Sequence, residues 1–193
     1  SRNVVFKLST LFALDAFAGG LIVQSLLAYW FHVRFGADIA LLGSIFFGAN
    51  ILAGISALLA IRIANRFGLI NTMVFTHIPS NVLLMLVPLM PTLPLAIGLL
   101  LIRFSISQMD VPTRQSYTMA VVSPDERSAA SGVTAIARSV GASLSPALTG
   151  LFFSIPALLS APFFISGGLK IIYDLLLFRE FRATKPPEET SHR

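Results

Sequence analysis

Long apolar runs separated by short polar turns set the pattern of this chain. Six runs are predicted as helices, near residues 8–31, 39–61, 69–90, 93–122, 128–153 and 162–178. A helix rises 1.5 Å per residue, so about 18 to 25 apolar residues match a hydrocarbon core about 30 Å thick. The third and fourth runs are parted only by Pro91, Thr92, Leu93 and Pro94. Proline ends a helix and restricts the residue before it, so a tight turn is predicted there. The fold class is therefore an all-α membrane protein, with six transmembrane helices in one unit over residues 1–182. The remaining polar, Pro-containing tail, 183–193, is predicted to lack structure.

Small residues mark two of the runs. The fifth carries Ser128, Ser131, Gly132, Ala135, Ser139, Ala142, Ser143 and Ala147, with Gly141 and Gly150. Such residues let backbones approach closely in lipid, so this helix is predicted to lie centrally in the bundle instead of facing lipid. The second run repeats the pattern more weakly through Gly43, Gly48, Ala49, Ala53, Gly54 and Ala57. Ordinary helix packing and a role in motion both fit these stripes.

Composition supports the membrane reading. Of 193 residues, 55% are hydrophobic and 12% charged, with a mean hydropathy of +0.80, which does not suit a soluble surface. The net charge of +5 is spread between apolar runs and forms no basic face, so the lipid bilayer is the expected partner and nucleic acid is not. One side of the membrane collects Arg2, Lys7, Arg62, Arg66, Arg127, Arg179, Arg182 and Lys185; the other has Arg34. Basic residues favour the cytoplasm, so a multi-pass protein, of the plasma membrane, with both termini cytoplasmic is expected. Tyr29, Trp30 and Phe31 then fall at the outer headgroup level. The chain begins with Ser, as a processed chain or a fragment would, and its first run is too long for a signal peptide.

No enzyme chemistry is indicated. The chain has no cysteine, which excludes disulfides, thiol catalysis and Cys-ligated metals. It has no His-Glu-x-x-His, no Gly-x-Ser-x-Gly and no Gly-rich loop ending in Gly-Lys-Ser/Thr. The carboxylates deep in apolar runs, Asp15, Asp110 and Asp174, have basic neighbours and lie on three helices, a poor basis for an aspartyl dyad. No cofactor or metal is expected.

Charges inside apolar runs carry the candidate chemistry, because a charge in hydrocarbon costs at least a few kcal/mol and marks a wet cavity or a pathway. Arg103 and Arg138 each fall about 15 Å deep by helical rise. They bind an anionic substrate group, hold a carboxylate in a charge relay, are paired structurally, or snorkel. Asp15, about eight residues into the first helix, is the first candidate for a coupling proton, or else a carboxylate permanently paired with Arg103 or Arg138. His77, two residues before Pro79, relays protons or satisfies carbonyls freed by the proline. Gln24 and Asn50 line a cavity or bond between helices. Arg103, Asp110 and Arg114 share a stripe, with Asp110 able to pair with Arg114 at i,i+4 near the cytoplasmic end. Pro112 between them loosens the helix. Lys170 and Asp174, also i,i+4, are expected to neutralise one another.

The order of these features resembles the C-terminal six-helix half of a major facilitator superfamily transporter, over nearly the whole chain. The loop Arg62-Ile63-Ala64-Asn65-Arg66-Phe67-Gly68 resembles that family's signature between the second and third helices of a half. Arg66 and Gly68 match; Asn65 replaces the acidic residue, Ile61 a glycine, and Leu69 and Ile70 a basic pair. Pro124-Asp125-Glu126-Arg127 before the small-residue helix resembles the family's join of fourth and fifth helices, and 103–114 its polar fourth helix. The resemblance implies two inverted three-helix repeats and a partner, either a missing N-terminal six-helix half or a second copy. It also implies a small-molecule substrate at the midplane and alternating access; a coupling proton is read from the buried carboxyl of Asp15, with sodium as the other ion the sequence leaves open. Asp15, Gln24, Asn50, His77, Arg103 and Arg138 would line the substrate or ion pathway. Arg62, Asn65, Arg66, Gly68, Asp110, Pro112, Arg114, Glu126 and Arg127 would form the cytoplasmic gate. The alternatives are a non-transporting scaffold or receptor on the same fold, or a half-size homodimeric carrier.

Overall fold

The computed structural model describes residues 2–184; Ser1, Lys185 and the rest of the expected tail to residue 193 lie outside the described residues. The described chain is helical from end to end: α1 (Arg2–Gly20), α2 (Gln24–Phe35), α3 (Ile39–Phe67), α4 (Leu69–Leu86), α5 (Leu93–Ser107), α6 (Asp110–Ala120), α7 (Arg127–Phe153) and α8 (Ala161–Phe181). Short 3-10 turns cover Val87–Leu89, Pro124–Glu126 and Pro156–Leu158. Asp38 starts α3 by accepting a hydrogen bond from the Leu41 N–H at 2.7 Å. Gly68, at φ 87° and ψ 159°, both ends α3 and begins α4, a backbone setting that favours glycine.

Five stretches are long and apolar enough to cross a membrane: Arg2–Phe35, Ile39–Phe67, Leu69–Leu89, Leu93–Ala120 and Pro156–Phe181. The fifth predicted helix, α7, is 27 residues long but is not among them. Its length of about 40 Å would suffice; its serines, threonines, glycines and two arginines lower its hydropathy.

Two predicted helices are each broken in the middle. The first run is longer than expected, 2–35, and is interrupted at residues 21–23. The fourth breaks at Gln108 and Met109, ahead of Pro112 instead of at it. The reason is local: Pro112 sits in the first turn of α6, where a missing N–H costs little, and the carbonyl it cannot bond belongs to Gln108.

In packing, α1 runs along α7 and α8, α3 along α5, and α4 touches α5, α6 and α8. Two apolar clusters result. One gathers Trp30, Phe31, Ile45, Phe46, Leu84, Val87, Leu100 and Phe163. The other gathers Leu8, Phe12, Met73, Val74, Tyr117, Tyr173, Leu177 and Phe181. Along α4 and α8, His77 and Lys170 fall between residues of one cluster and those of the other, as Asp15 does between Phe12 and Ile22 in the first span, so a polar layer divides the apolar core.

Several packing expectations need correction. Of the three aromatic residues expected at the outer headgroup level, only Tyr29 is exposed, stacked on Phe153; Trp30 and Phe31 are fully buried, and the Trp30 indole N–H donates to the Ser160 hydroxyl at 3.2 Å. The glycines of α3 bring no backbone close, since a Cβ added at Gly43, Gly48 or Gly54 would meet nothing within 4 Å, while Ala49 of the same stripe is fully buried. α7 does approach closely, on one face. Ala130, Thr134, Gly141, Ser145 and Thr149 are buried, and a Cβ at Gly141 would collide with the Ala13 carbonyl. Gly132, Ser139, Ser143 and Ala147, on the other side of the same helix, are exposed.

Candidate functional site

Asp15 is the hub of the polar layer. Its carboxylate, 4% exposed, receives the Lys170 ammonium of α8 on Oδ1 at 2.7 Å. On Oδ2 it receives the guanidinium groups of Arg138 of α7 at 3.1 Å and Arg114 of α6 at 3.4 Å. Arg114 also binds Asp110 one turn back, as the i,i+4 spacing predicts, and its guanidinium lies 5.6 Å from the Phe12 ring centroid. Removing the charge of this carboxylate would leave Lys170 without a partner in a low dielectric, whereas Arg114 keeps Asp110. The expected Asp15–Arg138 pairing is present; an Asp15–Arg103 pairing is not.

His77 is the fourth neighbour, and the one whose charge is optional. Its Nδ1 lies 2.8 Å from Asp174 Oδ1, and its Nε2 lies 3.9 Å from Asp15 Oδ1. Asn81 donates to the other Asp174 oxygen at 3.4 Å, and the Tyr173 ring stands edge-on to the imidazole at 6.0 Å. His77 therefore bonds a carboxylate and not the carbonyls near Pro79. The expected Lys170–Asp174 pair is also absent, because Lys170 turns to Asp15 and Asp174 to His77. Two carboxylates, Asp15 and Asp110, thus meet three permanent cations, Arg114, Arg138 and Lys170, and His77 stands between Asp15 and a third carboxylate, Asp174.

The broken end of α1 is held by hydroxyls from its neighbours. Ser145 donates to the Phe17 carbonyl, Ser166 to Ala18 at 2.7 Å and Thr149 to Leu21 at 2.8 Å. The last carbonyls of a helix have no internal donor, and in a bilayer water does not supply one. Serines and threonines of α7 and α8 fill that place.

The other predicted pathway residues lie elsewhere. Asn50 donates to Gln24 at 3.4 Å between α3 and α2, on an exposed surface away from the charged layer. Arg103 is half-buried on α5, 5.5 Å over the neighbouring Phe104 ring, with its Nε buried and without a hydrogen-bond partner.

The predicted gate residues separate into two groups. Asp110 and Arg114 belong to the buried layer, joined to Asp15, with Pro112 in the same helical turn. Arg62, Asn65 and Arg66 are exposed at the end of α3, where Arg66 lies 5.5 Å over Phe67, with Gly68 following. Arg127 Nε donates to the Met119 carbonyl at 2.9 Å and so caps α6. Glu126 borders a cavity of about 340 Å³ with Arg2, Phe6, Ser9 and Val133, between the starts of α1 and α7. On the same side Lys7 pairs with Glu180 at 2.6 Å, and the Tyr117 hydroxyl donates to the Thr184 carbonyl at 3.0 Å.

Lys170, Asp174 and Asn81 were not expected in the site. One signal in the chain points to Lys170: Gly19 stands one turn after Asp15, and a Cβ there would meet the Lys170 Nζ at 3.4 Å. Glycine leaves the lysine its path to the carboxylate.

The family model described as Major Facilitator Superfamily matches residues 4–193. The chain is 28% identical over 176 residues to "Uncharacterized membrane protein YJR124C" of Saccharomyces cerevisiae, covering 91% of this chain and 39% of that protein. It thus spans about two fifths of the length of that relative. No solved structure matches the chain.

Proposed function

We propose that this chain, which belongs to the major facilitator superfamily, is the C-terminal half of a secondary transporter that moves a small solute by alternating access, driven by protons. In this reading α7 supplies a sixth crossing, the six helices form two inverted three-helix repeats, and the termini are cytoplasmic in the plasma membrane. The missing half is the remainder of a longer polypeptide, which the greater length of the yeast relative supports.

The observation that carries the reading is the Asp15 hub. Five helices, α1, α4, α6, α7 and α8, meet there through charges buried in an apolar bundle. Buried charges contribute little net stability over well-packed apolar side chains, but they bias which of two packings a bundle adopts. Here partners are shared: Asp15 holds three cations, Arg114 two carboxylates, and His77 stands between two carboxylates. Helices joined this way can exchange partners without exposing a lone charge. Asp15 serves as the fixed anchor, and the coupling proton resides on the His77–Asp174 pair, where adding it strengthens contact with both carboxylates. Asp110, Pro112 and Arg114 transmit the exchange to the break in the fourth span, and the segment Arg62 to Gly68, which the sequence reads as a loop and the structure makes the last turns of α3 and its end at Gly68, closes the cytoplasmic side.

The test is flux of a mixed metabolite pool by the full-length protein in proteoliposomes under an imposed pH gradient. Flux that follows the gradient, and that loses its pH dependence in His77→Gln while the protein stays folded, supports the reading. A wild type that moves nothing in any gradient would point to a scaffold or receptor. Flux by the 193-residue chain expressed alone would replace the two-half reading with a homodimeric carrier.

A further inference from the structure

Arg103 stands outside the charge pairing of the polar layer. Every other basic residue deep in the bundle has a carboxylate: Lys170 and Arg138 have Asp15, and Arg114 has Asp15 and Asp110. Asp174, the remaining carboxylate, is taken by His77. Among the described residues no carboxylate lies within ion-pair distance of Arg103, and its Nε is buried with no hydrogen-bond partner. Asp110 acts on this guanidinium only from beyond ion-pair distance, and its carboxylate is held in contact by Arg114. Nor does Arg103 sit on a lipid-facing stripe. It lies three residues after buried Leu100 and four before buried Ser107, on the side of α5 packed against α3 and α4. Two more polar atoms on that helix pair lack partners, the buried hydroxyls of Ser107 on α5 and Ser56 on α3.

A guanidinium at this depth requires an anion, and its planar fork fits a carboxylate or phosphate oxyanion through two parallel N–H bonds. Serine hydroxyls are suitable additional donors. We infer that Arg103 is the anchor of a substrate subsite for a small oxyanion-bearing solute, with Ser107 one turn on along the same helix, separate from the Asp15 hub. This names the substrate class of the transporter proposed above and rests on that reading. It also has a consequence for the unliganded protein: a preorganised charge without a partner destabilises the empty state, so removing it should not weaken the fold.

The test measures thermal unfolding of the purified full-length protein in nonionic detergent, with acetate, benzoate and inorganic phosphate as probes and choline as the cation control. Wild type should show a Tm that rises with the concentration of at least one anion and not with choline. Arg103→Gln should lose that rise while its Tm without anion equals or exceeds that of wild type. Arg103→Lys, which keeps the charge and loses the fork, should retain a weaker rise. The inference is overturned by a wild type that responds to none of the three anions, or by Arg103→Gln that still responds. It is overturned equally by Arg103→Gln that unfolds several degrees earlier without anion, since the arginine would then be structurally paired within the complete protein. Anion binding without flux in any gradient would leave the subsite standing and remove the transport reading; gradient-driven flux without an anion response would do the reverse.

Discussion

The Asp15–Lys170 pair offers a quantitative test of the polar layer. Asp15→Asn keeps the shape of the side chain and one acceptor oxygen but removes the charge that three cations share. Arg114 retains Asp110, and the Arg138 side chain is 33% exposed and can reach solvent, so the loss falls mainly on Lys170, whose side chain is 10% exposed. Stranding one buried cation costs about 3–5 kcal/mol. Lys170→Met should cost less, about 1.5–3 kcal/mol, the value of a hydrogen bond to a charged group, because Asp15 keeps two arginines. The double variant Asp15→Asn/Lys170→Met restores equal numbers of buried positive and negative charges. It should therefore be more stable than Asp15→Asn alone, which requires a coupling energy larger than the cost of Lys170→Met by itself, at the upper end of the range of about 0.5–3 kcal/mol for residues in contact. The assay is denaturant or thermal unfolding of the four proteins in one detergent, closed as a double-mutant cycle. Additive losses, with the double variant the least stable of the four, would refute the claim that the two charges depend on each other.

Three further outcomes follow from the packing. Gly141→Leu should prevent α1 and α7 from closing, because its Cβ would meet the Ala13 backbone, which cannot rotate away; overpacking of this kind costs about 1–3 kcal/mol or more, read as a fall in Tm or in folded yield. Thr149→Val removes the donor to the Leu21 carbonyl at constant shape and should cost about 1–3 kcal/mol, whereas Thr149→Ser should be nearly neutral; equal losses in both would show that the methyl and not the hydroxyl matters. Lys7→Ala breaks a solvent-exposed ion pair with Glu180 and should leave Tm unchanged at physiological salt, which a melt with and without added salt checks.

The chain made its helices legible because length and hydropathy are local properties. The runs at 39–61 and 69–90 fall on α3 and on α4 with its 3-10 turn. The breaks were less legible. Pro112 announced a weak point, but the helix yields at Gln108, where the unpaired carbonyl is, and nothing in Leu21, Ile22 or Val23 marks the interruption in the first span. That break depends on donors from Ser145, Thr149 and Ser166, over a hundred residues away. The site shows the same division. Asp110–Arg114 could be read from spacing, because both partners lie on one turn. Lys170 and Asp174 have the same spacing yet choose other partners, since pairing across a bundle is decided by which helices face each other. Depth placed Arg103 and Arg138 at one level; only tertiary packing separates them, giving Arg138 a carboxylate and Arg103 none.

The low hydropathy of α7 bears on how such a protein enters its membrane. Α helix that carries Arg138 and many hydroxyls is a poor candidate to partition into lipid by itself, and its charge and its donors find their partners on α1. α1 precedes it in the chain and carries the complementary deficits, a carboxylate and unsatisfied carbonyls. In the six-crossing arrangement, membrane insertion of α7 is then coupled to an α1 already in place, and biogenesis proceeds by pairing instead of by six independent insertions. A substitution at Asp15 would be felt during synthesis, as slowed or failed integration of a helix more than a hundred residues downstream.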